Sequence, residues 1–114
     1  MSCPVAFFEV TGSNAGKLRS FYGDLFGWEY TLVPNEDYGL VSNVSGIPGG
    51  VGEAPEGPGW TTFYVAVQSL EEAVAKAESL GSKILLRCKE MPDVRIAMIQ
   101  DPEGHPIGLV QQKS

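Results

Sequence analysis

The order of secondary-structure elements repeats halfway along this chain, and the repeat constrains the fold more than any other feature of the sequence. One segment with apolar residues at helical spacing ends at Phe26-Gly27, and a second ends at Leu80-Gly81, an offset of 80 − 26 = 54 residues. Each predicted helix follows one predicted strand and precedes three others. The sequence therefore predicts an α+β fold built from two tandem βαβββ modules.

The first predicted module covers about residues 1–54. Its first strand spans 4–10, and strands at 28–33, 38–44 and 47–53 follow the helix, the last of them rich in glycine. Asn14 is the predicted N-cap of the helix, and Gly27 is the predicted residue after its end. One side of this helix carries Arg19, Ser20 and Asp24. The other side is a continuous apolar stripe, which consists of Leu18, Phe21, Tyr22, Leu25 and Phe26.

A linker rich in proline and glycine, at about 54–59, precedes the second predicted module at about 60–114. Strands are predicted over 60–67, 83–87, 94–100 and 106–111. Ser69 and Glu72 have the spacing of a capping box at the start of the second helix. Residues 101–104 fit a type I turn. Because an isolated module would be marginal in size, we expect the two modules to share one core in a single domain.

The charge of the chain argues against two classes of partner. Eight Lys and Arg oppose fourteen Asp and Glu, the net charge is −6, and the basic residues are scattered singly. We therefore expect neither nucleic acid nor an anionic membrane as a partner. No apolar run is long enough to span a bilayer, and 1–10 does not resemble a secretory signal. With only Cys3 and Cys88, the sequence predicts a cytoplasmic protein with reduced thiols.

Two stretches carry a family resemblance, FYGDLFGW at 21–28 and DPEGHPIGLV at 101–110. They resemble the most recognisable motifs of the vicinal oxygen chelate superfamily, the group of glyoxalases, bleomycin-resistance proteins and extradiol dioxygenases, and the similarity extends over essentially the whole chain. The resemblance implies a curved mixed sheet that forms a cup, with helices on its convex side and the ligand in its concavity. It also implies a homodimer, either side by side or swapped through the linker.

Enzymatic members of that superfamily hold a divalent metal with one His, Gln or Glu from each of four strands. The matching positions in this chain are Phe7, Thr62, Gly108 and a glycine near Gly50 or Gly52. Phe and Gly offer no side-chain ligand, whereas a divalent site needs several His or carboxylate groups at about 2.0–2.6 Å. The chain contains a single His. The metal site is therefore predicted to be missing, and no cofactor is expected.

Strand alternation predicts which side chains face the cup. Phe7 and Glu9 share one face of the first strand, while Phe8 and Val10 point towards the helix. In the second module, the cup face of the first strand carries Trp60, Thr62 and Tyr64.

The last hairpin supplies a further predicted cup residue. If Gln100 and His105 flank the four-residue turn, Ala97 lies opposite Gly108. Arg95 then shares the face of Gly108. A slip of one residue would reverse this assignment.

The resulting cup has aromatic walls and a few polar side chains, as small-molecule pockets often do. The aromatic residues are Phe7, Trp60 and Tyr64, and the polar residues are Glu9, Thr62 and Arg95. Several alternatives stay open. Phe7 can be plain core, and Trp60 and Tyr64 can belong to a dimer interface. Glu9 can pair with Arg95 or lie at an exposed edge, since an unpaired buried acid is costly. Arg95 can instead hold an anionic group of a ligand.

No catalytic residue is predicted. His105 follows a tight turn and is expected to be exposed, and both thiols lack an activating partner. The glycines at 49–52 lack the ending of a phosphate loop and do not open onto a helix, so they favour a bulge or a close backbone approach.

Three functions are compatible with these residues. The leading hypothesis is a metal-free member that binds, sequesters or carries a small organic molecule. The second is a lyase, isomerase or dioxygenase with an atypical divalent site built from Glu9, Glu53 and groups across a dimer interface. The third is a structural or regulatory module whose cup takes a side chain of a partner.

Overall fold

The computed structural model describes residues 2–54 and 56–113, and its α+β fold has the two βαβββ modules that the sequence predicts. The described chain forms two compact units. The first unit is Phe7–Thr61, and the second contains the described residues before Phe7 and after Thr61. No helix of the described chain is long and apolar enough to cross a membrane. The elements are β1 Val5–Gly12, α1 Ala15–Phe26, β2 Tyr30–Leu32, β3 Tyr38–Val41, β4 Gly49–Glu53, β5 Thr61–Ala66, α2 Leu70–Ser79, β6 Ile84–Glu90, β7 Val94–Gln100 and β8 Pro106–Gln112.

In the first unit, the strands follow the order β2-β3-β4-β1. β1 and β4 are parallel, and the other neighbours are antiparallel. The predicted caps of α1 are confirmed. The Asn14 Oδ1 atom accepts a hydrogen bond from the Lys17 amide at 3.0 Å. Gly27 adopts the left-handed conformation, with φ 73°, and its N–H donates to the Gly23 carbonyl.

Only part of the predicted apolar stripe of α1 lies against the sheet, where a Cβ at Gly12 of β1 would lie 2.9 Å from the Leu18 Cδ1 atom. Phe21, Leu25 and Phe26 are 57–59% exposed, whereas Arg19 donates from Nη1 to the Val51 carbonyl at 3.1 Å. The sheet permits this because it carries a glycine beneath the helix: a Cβ at Gly39 would lie 2.9 Å from the Arg19 Cδ atom. The aliphatic stem of Arg19 therefore packs where a long apolar side chain was expected.

In the second unit, the order is β5-β8-β7-β6, with β5 and β8 parallel. Its core lies between α2 and this sheet, where the buried side chains are Leu70, Val74, Ala97 and Leu109. The predicted N-cap of α2 is confirmed, since Ser69 Oγ accepts from the Glu72 amide at 3.2 Å. The Leu70 amide donates to Gln111 Oε1 at 2.7 Å, which ties the same helix end to β8.

The predicted register of the last hairpin is wrong by one residue. Gln100 pairs with Pro106, so Met98 rather than Ala97 lies opposite Gly108, and Arg95 lies opposite Gln111. The predicted turn does form, because the Gly104 N–H donates to the Asp101 carbonyl. Gly104 then adds a residue in the left-handed conformation, with φ 88°, and the Asp101 N–H donates to the His105 carbonyl. Residues 102–104 thus form a three-residue connection between Asp101 and His105. This connection shifts every later pair of the hairpin by one residue.

Candidate functional site

The side chain of Glu9 lies between two aromatic hydrogen-bond donors of the first unit. The Tyr38 hydroxyl donates to Glu9 Oε2 at 2.8 Å. The Trp60 indole Nε1–H donates to Glu9 Oε1 at 2.8 Å. All three side chains are half-buried. The carboxylate is thus held in one orientation while it keeps access to solvent.

Two glycines of β4 give Tyr38 its path to Glu9. Glu9 pairs with Gly50, and Tyr38 pairs with Gly52 from the other side of β4. A Cβ at Gly50 would lie 2.2 Å from Tyr38 Cε1, and one at Gly52 would lie 2.3 Å from Tyr38 Cδ2. The phenol ring therefore lies flat across the glycine strand. The close approach predicted for 49–52 is made by this ring.

Trp60 is fixed on the opposite side of Glu9 by its backbone. The Trp60 N–H donates to Thr11 Oγ1 at 3.1 Å, and the Thr11 N–H donates to the Trp60 carbonyl at 2.8 Å. These bonds anchor the residue to β1 two positions beyond Glu9, so its indole N–H reaches the carboxylate.

This group lies on the sheet face opposite α1. Phe8, Val10 and Val51 belong to the helix-facing side, where the Phe8 ring centroid lies 5.2 Å from that of Trp28. Alternation along β1 then gives Glu9 the other face, as the sequence predicts. The two basic residues of the first unit, Lys17 and Arg19, belong to α1, and Arg19 forms an ion pair with Asp37 at 2.5 Å.

The positions that match metal ligands in the resemblance are occupied by packing in this chain. The Thr62 hydroxyl is buried and donates to the Pro106 carbonyl at 2.5 Å. A Cβ at Gly108 would lie 2.3 Å from Cδ2 of Tyr64, which is 7% exposed and pairs with Gly108. Phe7 is half-buried, with its ring centroid 6.5 Å from that of Phe8.

The atypical metal site built on Glu9 and Glu53 is not assembled within the chain. In β4, Gly50 pairs with Glu9, whereas Glu53 pairs with Gly12, three residues further along β1. Alternation therefore puts the two carboxylates on opposite faces of the sheet. Among residues 2–54 and 56–113, no group of three or more His, Cys, Asp or Glu side chains could hold a metal ion. The donor set described here does not fit a divalent cation.

Arg95 does not lie on the predicted face, because the register that put it there is off by one residue. It shares the helix-facing side of β7 with Ala97, which is fully buried against α2. Its guanidinium forms ion pairs with Glu71 of α2 and, at 2.6 Å, with Glu90 of β6. Hydrogen bonds to Arg95 hold the pKa of both carboxyls below the usual range, and the same bonds raise the pKa of Arg95.

The remaining sequence candidates have surroundings of their own. His105 is exposed, and its Nδ1 atom lies 2.9 Å from Asp101 Oδ2. The His105 backbone N–H, more than the ring, lowers the pKa of Asp101. Cys3 and Cys88 are free and exposed. A pocket of ≈ 280 Å³ in the second unit contains none of the predicted ligand residues, being lined by Leu70, Glu71, Val74, Arg87 and Cys88.

Tyr38 is the functional residue that sequence reasoning missed. The sequence predicts a strand over 38–44 and no further role for the Tyr38 side chain. A signal was nevertheless present, since β4 places glycines two residues apart, at 50 and 52, on the face that also carries Glu9. Such a gap in side-chain volume beside an acid leaves room for a large hydrogen-bond donor from a neighbouring strand.

Comparison with known proteins gives one family and several solved structures that share the fold. The family model described as a glyoxalase-like domain matches residues 8–110. No curated protein sequence gives a significant match. Among solved structures, a glyoxalase/bleomycin resistance protein/dioxygenase superfamily member from Vibrio splendidus 12B01 is 19% identical, with a TM-score of 0.70 over 97% of this chain and 100% of that one.

Two other solved structures are similar at comparable coverage. A hypothetical protein from Bacillus halodurans C-125 is 12% identical, with a TM-score of 0.71 over 100% of this chain and 97% of that one. Methylmalonyl-CoA epimerase from Mycobacterium tuberculosis is 14% identical, with a TM-score of 0.64 over 96% and 88% of the two chains. At these identities the likeness shows a shared fold, and the reaction of any neighbour is its own.

Proposed function

Because this chain belongs to the glyoxalase-like domain family, we propose that it is a metal-free member that binds a small organic molecule on the sheet face opposite α1. The observation that carries the proposal is the Glu9 carboxylate, held between the Tyr38 hydroxyl and the Trp60 indole N–H. An oriented polar group between aromatic rings is what small-molecule sites present.

The proposed contacts in the first unit are Phe7, Glu9 and Trp60, to which the geometry adds Tyr38. For Thr62 and Tyr64, in the second unit, ligand contact stays a prediction, and the Thr62 hydroxyl already donates to a backbone carbonyl. Arg95 is left out of the proposal, because its guanidinium is engaged by Glu71 and Glu90. The role of the site is sequestration or carriage, in a cytoplasmic homodimer.

The donor set supports the metal-free part of the proposal. The resemblance matches ligand positions of enzymatic members to Phe7, Thr62, Gly108 and a glycine near Gly50 or Gly52. Aromatic rings cover both glycines here, since Tyr64 lies over Gly108 and Tyr38 over Gly50. A ligand side chain could return to either glycine only if the covering ring moved.

Native mass spectrometry of the freshly purified, unchelated protein tests the proposal. We expect the mass of two chains without a stoichiometric metal, and any additional organic mass identifies the ligand. One divalent ion per chain would contradict the metal-free proposal and favour a lyase, isomerase or dioxygenase. A partner protein that competes with small aromatic probes for Trp60 would instead favour the regulatory module.

A further inference from the structure

We propose that two copies of this chain associate through an exposed apolar patch of α1, which consists of Phe21, Leu25 and Phe26, with the two α1 helices antiparallel about a two-fold axis beside Phe21. This inference rests on the homodimer of the proposed function and adds the surface that joins the two copies. Because α1 and Glu9 lie on opposite faces of the sheet, the proposed ligand face stays open in such a dimer.

The α1 patch is continuous. Phe21 and Phe26 are each 57% exposed, and Leu25 is 59% exposed. The half-buried ring of Tyr22 joins the two phenylalanines, with its centroid 5.2 Å from that of Phe21 and 5.9 Å from that of Phe26. Leu25 lies one helical turn after Phe21 and therefore beside it. Scattered apolar side chains on a surface are ordinary, whereas a continuous apolar patch marks a surface that another molecule covers.

The area of the α1 patch agrees with what a dimer needs. A large apolar side chain presents about 200 Å² when fully exposed, so the three side chains together present roughly 330 Å² per chain. Two copies would bury about 650 Å² of apolar surface, and homodimer interfaces are about 65% apolar. The patch can therefore form the apolar centre of an interface of about 1,000 Å², which is the lower limit for specific association.

The charges beside the α1 patch complement those of a second copy. Lys17 precedes Phe21 by four residues and Asp24 follows it by three, so both lie beside Phe21 on the helix surface. Both are exposed, and neither forms an ion pair with any of residues 2–54 and 56–113. In an antiparallel pair with its axis beside Phe21, Lys17 of each copy lies opposite the partner's Asp24. A parallel pair would instead bring like charges together.

The apolar side chains and the charges have different roles in this interface. Exposed ion pairs contribute little affinity, so burial of the α1 patch supplies most of the association. The charges set the direction of the helices, since they match only in the antiparallel arrangement. Such a match between the two ends of one helix is what a self-complementary interface requires, and an unrelated partner would not require it.

Truncation of the α1 patch tests the surface, with the dimer dissociation constant measured by sedimentation over a dilution series. Phe21→Ala is expected to raise this constant about 100-fold, because the two-fold axis places the side chain twice at the centre of the interface. Leu80→Ala is the control: it removes an apolar side chain that is 77% exposed in the second unit and should leave the constant unchanged. Circular dichroism verifies that both variants are folded.

The two tryptophans report on the same equilibrium in the unaltered chain. They give two indole resonances in the two-dimensional ¹⁵N spectrum, assigned with Trp60→Phe. The Trp28 ring centroid lies 5.3 Å from that of Phe26, so its indole resonance should move as the dimer dissociates on dilution. Trp60 bonds to Glu9 on the opposite sheet face, and its resonance should stay in place.

Charge reversal tests the antiparallel arrangement. Lys17→Asp and Asp24→Lys each place like charges opposite one another and should weaken the dimer about ten-fold. The two changes combined in one chain restore opposite charges and should recover the dimer. A mixture of the two single variants should form mixed dimers in preference to either homodimer, as native mass spectrometry measures. Neither change weakens α1, because each one complements the helix dipole at its end.

The possible failures are distinguishable. If Phe21→Ala leaves the dissociation constant unchanged, the interface lies elsewhere and the inference is wrong while the homodimer stands. If the combined charge reversal stays as weak as the single variants, the antiparallel arrangement is wrong. A chain that is monomeric at every concentration would overturn the homodimer together with the inference, and the organic mass retained by that monomer would still test the small-molecule site.

Discussion

Both units of this protein lay a tyrosine ring over a glycine of their sheet, but they use the arrangement differently. In the first unit, Tyr38 lies over Gly50, stays half-buried and donates to Glu9. In the second, Tyr64 lies over Gly108 and is 7% exposed. The same loss of a side chain thus makes a partly exposed polar site in one unit and tight packing in the other.

The largest difference between the two tyrosines should appear on truncation. Tyr64→Ala is expected to lower the free energy of unfolding by about 3–4 kcal/mol, because it leaves a cavity beside Gly108. Tyr38→Ala should cost about 1–2 kcal/mol, because its ring is half-exposed. Urea denaturation followed by circular dichroism measures both. Equal losses would show that the two rings contribute alike and would break the comparison.

Alanine substitution of the glycines beneath the rings should also lower the free energy of unfolding more in the second unit than in the first. Gly108→Ala is expected to cost about 2–3 kcal/mol and Gly50→Ala about 1–2 kcal/mol, since each new Cβ displaces a ring. Gly46→Ala is the matched control: no atom lies within 4 Å of its Cβ position, and the change should stay within about 0.5 kcal/mol. If all three variants unfold at the same urea concentration, the close approaches do not constrain the sheet.

Removing one hydroxyl isolates the polar part of the comparison. Tyr38→Phe should lower the free energy of unfolding by about 1 kcal/mol, because the Glu9 carboxylate loses one donor. Tyr22→Phe is the control, since no hydrogen bond of its hydroxyl is found in the described chain. In the Tyr38 variant the Trp60 indole resonance should also move, because the carboxylate to which this indole donates loses the Tyr38 hydroxyl as a donor. An unmoved resonance would argue against the bridged carboxylate.

The charged cluster of the second unit should be visible in the pH dependence of stability. Because Arg95 lowers the folded-state pKa of Glu71 and Glu90 from 4.5, their contribution is present above that value and is lost as the pH falls through the folded pKa. Arg95→Gln should therefore flatten the fall in unfolding free energy below about pH 4.5. Lys89→Gln makes the same charge change on β6, and an equal flattening there would contradict the assignment to Arg95.

The sequence predicted most of the architecture because its signals were local. The caps at Asn14 and Ser69 each depend on residues within one helical turn, and both formed as expected. The face of Glu9 followed from strand alternation alone. These features need no knowledge of distant residues, so a single sequence is enough to find them.

The errors came from contacts between residues far apart in the chain. Arg19 of α1 faces the sheet because Gly39, on strand β3, leaves room for its aliphatic stem. The side of β7 that carries Arg95 depends on a single residue, Gly104, in the left-handed conformation. The hydrogen bond between Tyr38 and Glu9 could not be predicted because the two residues lie 29 positions apart in the chain. Each of these depends on which strands become neighbours, which local patterns do not encode.

The glycine strand β4 also limits how this chain can evolve. One base change turns some glycine codons into glutamate codons, so a carboxylate at Gly50 or Gly108 is a single mutational step away. The covering rings oppose this, since a Cβ at Gly50 would lie 2.2 Å from Tyr38 Cε1 and one at Gly108 would lie 2.3 Å from Tyr64 Cδ2. The tyrosine would have to be replaced by a smaller residue before an acid could fit, and that replacement is itself expected to destabilise the protein. Each glycine and the tyrosine over it are therefore expected to change only in an order that passes through a less stable protein.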